Sequence, residues 1–169
     1  MIYPIVKFGD PVLEAKAAPV TEFDTALRAL LDDMFESMYA AHGVGLAAPQ
    51  IGISRRITVI DVTFKEDPKQ KLVLINPEII HAEGRISQSE GCLSIPEFRE
   101  NVTRPKKVTV RAQNAKGEFF EHTGEELLAR AFCHETDHLN GKLYINHISA
   151  LKRDLMKRKI RKLIKAGEW

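Results

Sequence analysis

The sequence predicts an α+β fold, with antiparallel β-sheets around a central helix, an N-terminal helix and a basic C-terminal helix. Three observations predict this class: a helical pattern near the start, a run of β-branched and apolar segments in the middle, and two further helical patterns after it. Helices that precede and follow a run of antiparallel strands are typical of α+β proteins. The 169 residues, 44% of them apolar, suit one domain over residues 1–169.

The first helix is predicted within the segment VTEFDTALRALLDDMFESMYAAHG. Its apolar side chains recur every three or four residues and therefore share one face: Leu27, Leu30, Leu31, Met34, Phe35, Met38 and Tyr39. Thr21 or Asp24 can cap its beginning. Gly43 offers an ending in a backbone conformation that other residues avoid.

Two pairs of strands are predicted after this helix. The segments RRITVIDVTF and KLVLINPEII are β-branched and apolar, and the polar stretch KEDPKQ between them indicates a hairpin or a short loop. KVTVRAQN and EFFEHTG alternate apolar positions on either side of the turn AKG, which predicts a second hairpin. The middle of the chain is therefore expected to be mostly sheet.

The last two helices differ in their surroundings. GEELLARAFCHETDHLNG has apolar residues at helical spacing and Gly141 as a stop, which predicts a helix packed in the core. Residues 151–169 predict an amphipathic helix with Leu151, Leu155, Ile160, Leu163 and Ile164 on one face.

The C-terminal segment 151–169 carries most of the chain's positive charge. It has eight cationic side chains against two acidic ones, a net +6 in a chain of formal net charge +2, so the other 150 residues carry −4. Two interpretations stay open. The helix packs its apolar face on the body and its cations are merely solvated, or it docks on ribosomal RNA near the exit of the nascent chain.

Membrane and disulfide classes are disfavoured by the sequence. No apolar run approaches the ~20 residues needed to cross a bilayer, and the start lacks the features of a secretory signal. We therefore expect a cytoplasmic protein without membrane contact. Cys92 and Cys133 are too few for a disulfide framework, although one bridge stays possible, so thiol or metal chemistry is of more interest.

The motif His134-Glu135-Thr136-Asp137-His138 predicts a metal site on the second of the three predicted helices. Residues four apart on a helix project from the same side, so the imidazoles of His134 and His138 can bind one ion. In zinc hydrolases with this arrangement, a glutamate at the position of Glu135 reaches the metal-bound water without being a ligand. The alternative is two histidines that share an exposed helix face by chance.

A catalytic metal site needs a third protein ligand. Downstream candidates are poor, because His147 lies too close for the extended histidine motif and Glu168 lies in the basic tail. Upstream, Cys92 follows Gly91, and a metal lowers the pKa of a thiol. Three ligands and one open position mark a catalytic centre, whereas structural zinc sites have four protein ligands. Cys133 points about 100° away from His134 and is predicted to be a buried small residue.

The segment HGVGLAAPQIG follows the first helix directly. Its glycines allow close approach of a ligand, but their spacing fits neither a P-loop nor a dinucleotide motif. Gln50 can donate from its side-chain amide to a developing oxyanion. Taken alone, the segment is more typical of a glycine turn that precedes core residues.

Three of these segments, GVGLAAPQ, EGCLSIPE and HETDHLNG, closely resemble peptide deformylases in order and spacing. The resemblance covers nearly the whole chain, from FGDPVLEAKAAPV to the basic tail. It implies an α+β fold with antiparallel sheets around the metal-bearing helix. It also implies an enzyme that removes the formyl group from the N-terminal methionine of nascent polypeptides and releases formate.

The same resemblance implies the roles of individual residues. The metal ligands would be Cys92, His134 and His138. A metal-bound water would be the nucleophile and Glu135 the general base, while Gln50 and the backbone N–H of Leu93 would donate to the oxyanion.

A slot for the methionine side chain is implied next to the metal. The matching family positions are Val44, Gly45, Leu127, Arg130 and Ala131. Arg130 departs from an apolar lining, and the alternative is a surface arginine with a partly buried stem. Arg99 is predicted to contact the peptide backbone of the substrate, and Glu90 and Arg104 to form a supporting ion pair; all three are equally compatible with ordinary surface charge.

The identity of the metal is not determined by the ligand types. Two imidazoles and a thiolate suit zinc by softness, whereas the resemblance implies Fe(II). We expect one divalent ion per chain, Fe(II) in vivo, with Zn, Ni or Co possible in purified protein because oxygen threatens an Fe(II)–thiolate centre.

Three rival functions remain at this level. An endopeptidase with a different third ligand would cleave internal peptide bonds and survive loss of Cys92. A cysteine hydrolase with Cys92 as nucleophile would be insensitive to chelators. A binding domain with a structural metal would bind the ion without turnover.

Overall fold

Three helices and seven strands form the predicted α+β fold in a computed structural model that describes residues 1–169. The helices are α1 (Thr25–Ala40), α2 (Leu127–Leu139) and α3 (Ala150–Lys165). The strands are β1 (Gly45–Ala47), β2 (Ile57–Ile60), β3 (Leu72–Glu83), β4 (Ile86–Cys92), β5 (Ile95–Arg104), β6 (Lys107–Gln113) and β7 (Phe119–Glu125).

All strand pairs are antiparallel and form two sheets. Five strands pair in the order β1-β2-β3-β6-β7, and β4 and β5 form a separate two-stranded sheet. The predicted pairing of the segments 55–64 and 71–80 is confirmed over 57–60 and 72–75, and the hairpin of β6 and β7 is also confirmed. The hairpin β4–β5 was not predicted, because β4 buries only Glu90 and therefore lacks an apolar alternation.

Helix α1 begins as predicted and ends differently. The Asp24 side chain accepts from the backbone N–H of Leu27 at 2.9 Å, which satisfies one free donor of the first turn. The prediction for Gly43 is wrong, since the left-handed residue after the helix is His42, with φ of 58°. Gly43 serves a different purpose, because a β-carbon there would lie 2.7 Å from Cδ1 of Leu93.

Helix α2 packs against the five-stranded sheet on the face opposite α1. Strand β2 is buried throughout, with Ile57 and Val59 in the cluster around α1 and Ile60 in the cluster around α2. The predicted stop at Gly141 is confirmed by its φ of 74°. The His134–His138 motif therefore lies on the helix with the largest number of buried residues.

Helix α3 joins the core through two buried side chains, in a cluster that also contains Tyr144 and residues of β5. Met156 and Ile160 are buried beside Ile95 and Val102. The predicted apolar face is wrong for Leu151, Leu155 and Ile164, which are 70%, 46% and 50% exposed. Only two side chains of α3, four residues apart, are buried. None of the helices combines the length and the apolar character needed to cross a bilayer.

Candidate metal centre

Three predicted ligands converge where the β4–β5 hairpin meets α2. His134 and His138 lie one turn apart on α2, and Cys92 ends β4. Their ligand atoms all lie within 4.8 Å of one another. Nε2 of His138 is 3.2 Å from Nε2 of His134 and 3.3 Å from Sγ of Cys92.

This arrangement fits a single divalent ion. In a tetrahedral zinc site, two imidazole nitrogens each ~2.0–2.1 Å from the ion are about 3.3–3.4 Å apart, close to the separation here. Imidazole and thiolate are also ligands that zinc and related transition metals prefer. The residues therefore fit a three-ligand metal site, and Cys133 is not among them.

The pKa values of the two histidines are shifted in opposite directions. Burial and the neighbouring charge of His134 lower the pKa of His138 well below its usual value. Burial by itself would lower the pKa of His134, but Glu135, Cys92 and Glu90 outweigh it and raise that pKa. The lowered pKa favours the neutral imidazole at His138, the form that binds metals, whereas a metal would have to displace a proton from His134.

Glu90 supports His134 from the side away from the ligands. Its Oε2 lies 2.8 Å from Nδ1 of His134. Because a carboxylate only accepts, this bond places the His134 proton on Nδ1 and leaves Nε2 for the ion. Arg104 donates to both carboxylate oxygens at 3.1 and 2.7 Å, so the predicted pair of Glu90 and Arg104 is present and buried.

Glu135 lies beside the ligands in a confined position. It is 4% exposed, and its Oε1 has no hydrogen-bond partner within the protein. Burial raises its pKa to about 7. Its Oε2 lies 2.6 Å from the position of a β-carbon on residue 45, so only glycine leaves room for the carboxylate there.

The amide of Gln50 is held in one orientation. Its Oε1 accepts from the backbone N–H of Ala47 at 3.0 Å, which turns Nε2 towards the centre. Nε2 donates to Ser94 Oγ at 3.2 Å and to Cys92 Sγ at 3.6 Å. Sequence reasoning missed Ser94, although it lies within the EGCLSIPE segment.

A cavity of about 670 Å³ opens next to these side chains. Its walls include every predicted substrate-binding residue: Val44, Gly45, Arg99, Leu127, Arg130 and Ala131. Gln50, Cys92, Leu93, His134 and Glu135 also line it. His138 is fully buried beneath the cavity. Ile5 and Phe98 line it as well and were missed, because nothing in their local sequence distinguishes them from core residues.

Three side chains have surroundings that bear on their predicted roles. Arg130 is 5% exposed, so the surface alternative is wrong, and its guanidinium is bonded to Glu90 at 2.8 Å. Arg99 lies at the cavity edge, where Nε donates to Ser89 Oγ at 2.9 Å. Cys133 lies on the core-facing side of α2, where burial raises its pKa to about 11, as expected for an unreactive thiol.

Comparison with known proteins gives consistent matches. A family model described as polypeptide deformylase matches residues 2–154. The peptide deformylase of Acidobacterium capsulatum is 69% identical over 169 residues, which cover all of this chain and 99% of that protein. The peptide deformylase of Cellvibrio japonicus is 49% identical over 98% of both chains. The crystal structure of a peptide deformylase from Legionella pneumophila superposes with a TM-score of 0.91 and 46% identity, covering 99% of this chain and 98% of that chain.

Proposed function

Because this chain belongs to the polypeptide deformylase family, we propose that it hydrolyses the N-formyl group of the N-terminal methionine of nascent polypeptides. One observation carries the proposal: two imidazole nitrogens and a thiol sulfur converge beside a buried glutamate in a cavity large enough for a side chain and a formyl group. The bond that breaks is the formamide C–N bond, and the products are formate and a free methionyl amine. Because nascent chains emerge in the cytoplasm, this substrate implies a cytoplasmic enzyme.

The metal ligands in this proposal are Cys92, His134 and His138. A bound divalent ion supplies Lewis acidity, which lowers the pKa of water and polarises a carbonyl group. The resident ion we propose is Fe(II), with Zn, Ni or Co as substitutes in purified protein. Anaerobic reconstitution with each metal, followed by turnover measurements, tests this order, and equal turnover with zinc would contradict it.

Glu135 moves the proton in the reaction. Its carboxylate accepts a proton from the attacking water and delivers it to the leaving amine. Two observations support this role: Oε1 has no competing hydrogen bond within the protein, and the lack of a side chain at Gly45 leaves room for Oε2.

Gln50 and Leu93 stabilise the oxyanion of the tetrahedral intermediate. The Nε2 group of Gln50 is aimed by Ala47 and lies against Cys92, next to the position where the formyl oxygen must approach. The backbone N–H of Leu93 is the second donor. Each well-placed donor of this kind contributes ~3–4 kcal/mol to lowering the barrier.

The methionine side chain occupies the slot between α2 and the segment after α1. Val44 and Gly45 form one side, and Leu127 and Ala131 form the other. Arg130 borders this slot with its stem, and Arg99 at the edge contacts the peptide backbone of the substrate.

A formyl-methionyl peptide assay with and without a chelator tests the function against its rivals. We expect turnover that a chelator abolishes and that Fe(II) restores. Cys92→Ala should remove both bound metal and turnover. Cleavage of internal peptide bonds, persistence of activity with chelator, or stoichiometric metal without turnover would each favour one of the rivals.

The basic helix α3 is proposed to contact ribosomal RNA near the exit of the nascent chain. Its two buried residues, Met156 and Ile160, belong to the core. Six of its cations are exposed: Lys152, Arg158, Lys159, Arg161, Lys162 and Lys165. Phosphate groups are the natural partners of such a surface.

A further inference from the structure

The metal ligands come from two parts of the structure that have separate cores. Helix α2, with both histidines, packs on the five-stranded sheet through the cluster that contains Ala129 and Phe132. The β4–β5 hairpin, with Cys92, contributes Ile95 and Val102 to a different cluster, which also contains Met156 and Ile160 of α3. The distance between sulfur and imidazoles therefore depends on what connects the hairpin to α2.

Arg130 makes this connection from the helix side. It lies one turn before His134 on α2. Its Nη1 donates to Glu90 Oε1 at 2.8 Å and to the carbonyl of Val102 at 2.9 Å, and its Nη2 donates to the carbonyl of Ile86 at 2.9 Å. One guanidinium thus bonds to a side chain of β4, the backbone of β4 and the backbone of β5.

Arg104 connects the same two parts from the hairpin side. It lies on β5, holds Glu90 with two bonds, and donates to Asp137 of α2 at 2.7 Å. The four acceptor positions of Glu90 are then filled by Arg104 twice, by Arg130 and by His134. These four bonds hold the Glu90 carboxylate in one orientation. The bond from Glu90 to Nδ1 in turn orients the His134 ring.

We propose that Arg130 is a positioning residue that joins the Cys92 hairpin to the histidine helix and thereby sets the affinity of the metal centre. This inference rests on the metal centre of the proposed function. It gives Arg130 a role in addition to bordering the substrate slot. The planar fork of arginine suits three acceptors in different directions, whereas lysine offers one compact charge.

The test compares zinc release from full-length variants loaded with zinc, with a competing chelator as the sink. In Arg130→Met the stem remains and the three bonds are lost, and we expect release about 10–100-fold faster than from the parent, the range found for changes to groups that orient metal ligands. Arg130→Lys keeps a charge near Glu90 but cannot reach both strands, so it should also release zinc faster. This second variant serves if Arg130→Met does not fold.

Arg56→Met is the matched control. Arg56 donates to the carbonyl of Leu139 and to Asn140 at the end of the same helix, at 2.9 and 3.0 Å, but has no bond to the hairpin. We expect it to lower stability and leave zinc release at the parental rate. Amide hydrogen exchange of the zinc-loaded proteins should rise over residues 86–104 in Arg130→Met and not in Arg56→Met.

The outcomes separate this inference from the proposed function. Parental zinc release from both Arg130 variants would overturn it, as would equally fast release from Arg56→Met. If the parent does not hold zinc, the metal centre and this inference both fail. If the parent holds zinc and Arg130→Met releases it faster, but no formyl-peptide is hydrolysed, the proposed function fails and the role of Arg130 stands.

Discussion

Gly45 and Glu135, ninety residues apart in the chain, lie so close together in the site that a side chain at residue 45 would overlap the Glu135 carboxylate. A β-carbon at residue 45 would lie 2.6 Å from Oε2 and 3.0 Å from Cδ of Glu135. A side chain at residue 45 would therefore push the carboxylate away from this position and towards the cavity that Glu135 lines.

Gly45→Ala should therefore displace the Glu135 carboxylate while leaving the metal ligands in place. A misplacement of about 1 Å can reduce a rate on the order of 10²-fold, and we expect a loss of kcat of this size. Steady-state hydrolysis of a formyl-methionyl peptide, with metal content measured on the same sample, checks this. A parental kcat in a fully metal-loaded variant would show that Glu135 tolerates the displacement.

Glu135→Gln should retain the metal and lose most of its turnover. The amide has the size of the carboxylate but cannot accept the proton of the attacking water, and loss of a general base typically costs 10²–10⁴-fold. Formate release and metal analysis are the measurements. Turnover at the parental rate would mean that another group is the base.

Gln50→Glu should lower kcat on the order of 10²–10³-fold, because it replaces an oxyanion donor with an acceptor. The control is Ser94→Ala, which removes one acceptor of Nε2 but leaves the bond from Ala47 that orients the amide. We expect a much smaller effect from the control. Equal effects of the two variants would indicate that Gln50 acts only through packing.

Asp61 should make stability depend on acid pH. It is fully buried and accepts from Tyr39 Oη at 2.5 Å, from Thr63 Oγ1 at 2.7 Å, and from the N–H groups of Thr63 and Lys65, both at 3.0 Å. Burial by itself would raise the pKa of Asp61, but these bonds together lower it below the ordinary value. The stabilisation is therefore complete above the unfolded-state pKa and is lost as pH falls through the folded-state pKa.

Asp61→Asn should lower the free energy of unfolding by about 1–3 kcal/mol at neutral pH, because the amide cannot accept all four bonds. The difference between the variant and the parent should shrink as pH falls below about 4. Urea unfolding at a series of pH values measures it. The exposed Asp154→Asn serves as control, and a difference that is independent of pH would contradict the assignment to Asp61.

Neutralising Arg158, Lys159 and Lys162 with glutamine should weaken ribosome binding without affecting the fold. Deleting the helix is a poorer test, since Met156 and Ile160 belong to the core around the hairpin. The logarithm of the binding constant falls with the logarithm of the salt concentration, and each lost phosphate contact makes this slope shallower by about 0.9, the value for duplex DNA. Co-sedimentation at several salt concentrations measures this. A variant with Lys7, Lys16 and Lys116 replaced by glutamine, all exposed elsewhere, should bind as the parent does. Unchanged binding by the helix variant would remove the proposed contact.

Much of the fold followed from local patterns. The periodicity of apolar residues located α1, α2 and two of the strand pairings, because each of these elements buries a regular face. The β4–β5 hairpin escaped prediction since the one buried position of β4 carries a charged residue, Glu90, which bonds to His134. The apolar face of α3 was misjudged because the pattern shows which residues share a side of a helix, but not how wide a strip its neighbour covers.

By itself, the sequence determined the kinds of ligand and their order along the chain: two histidines one turn apart, a glutamate between them, and a cysteine after a glycine. Only the tertiary structure decided that Gly45 makes room for Glu135, that Ala47 aims the amide of Gln50, and that Arg130 bonds to two strands instead of facing solvent. The physical reason is that motifs record spacing within one element. The contacts that orient a reacting group form between elements, and their distances depend on how separate cores pack against each other.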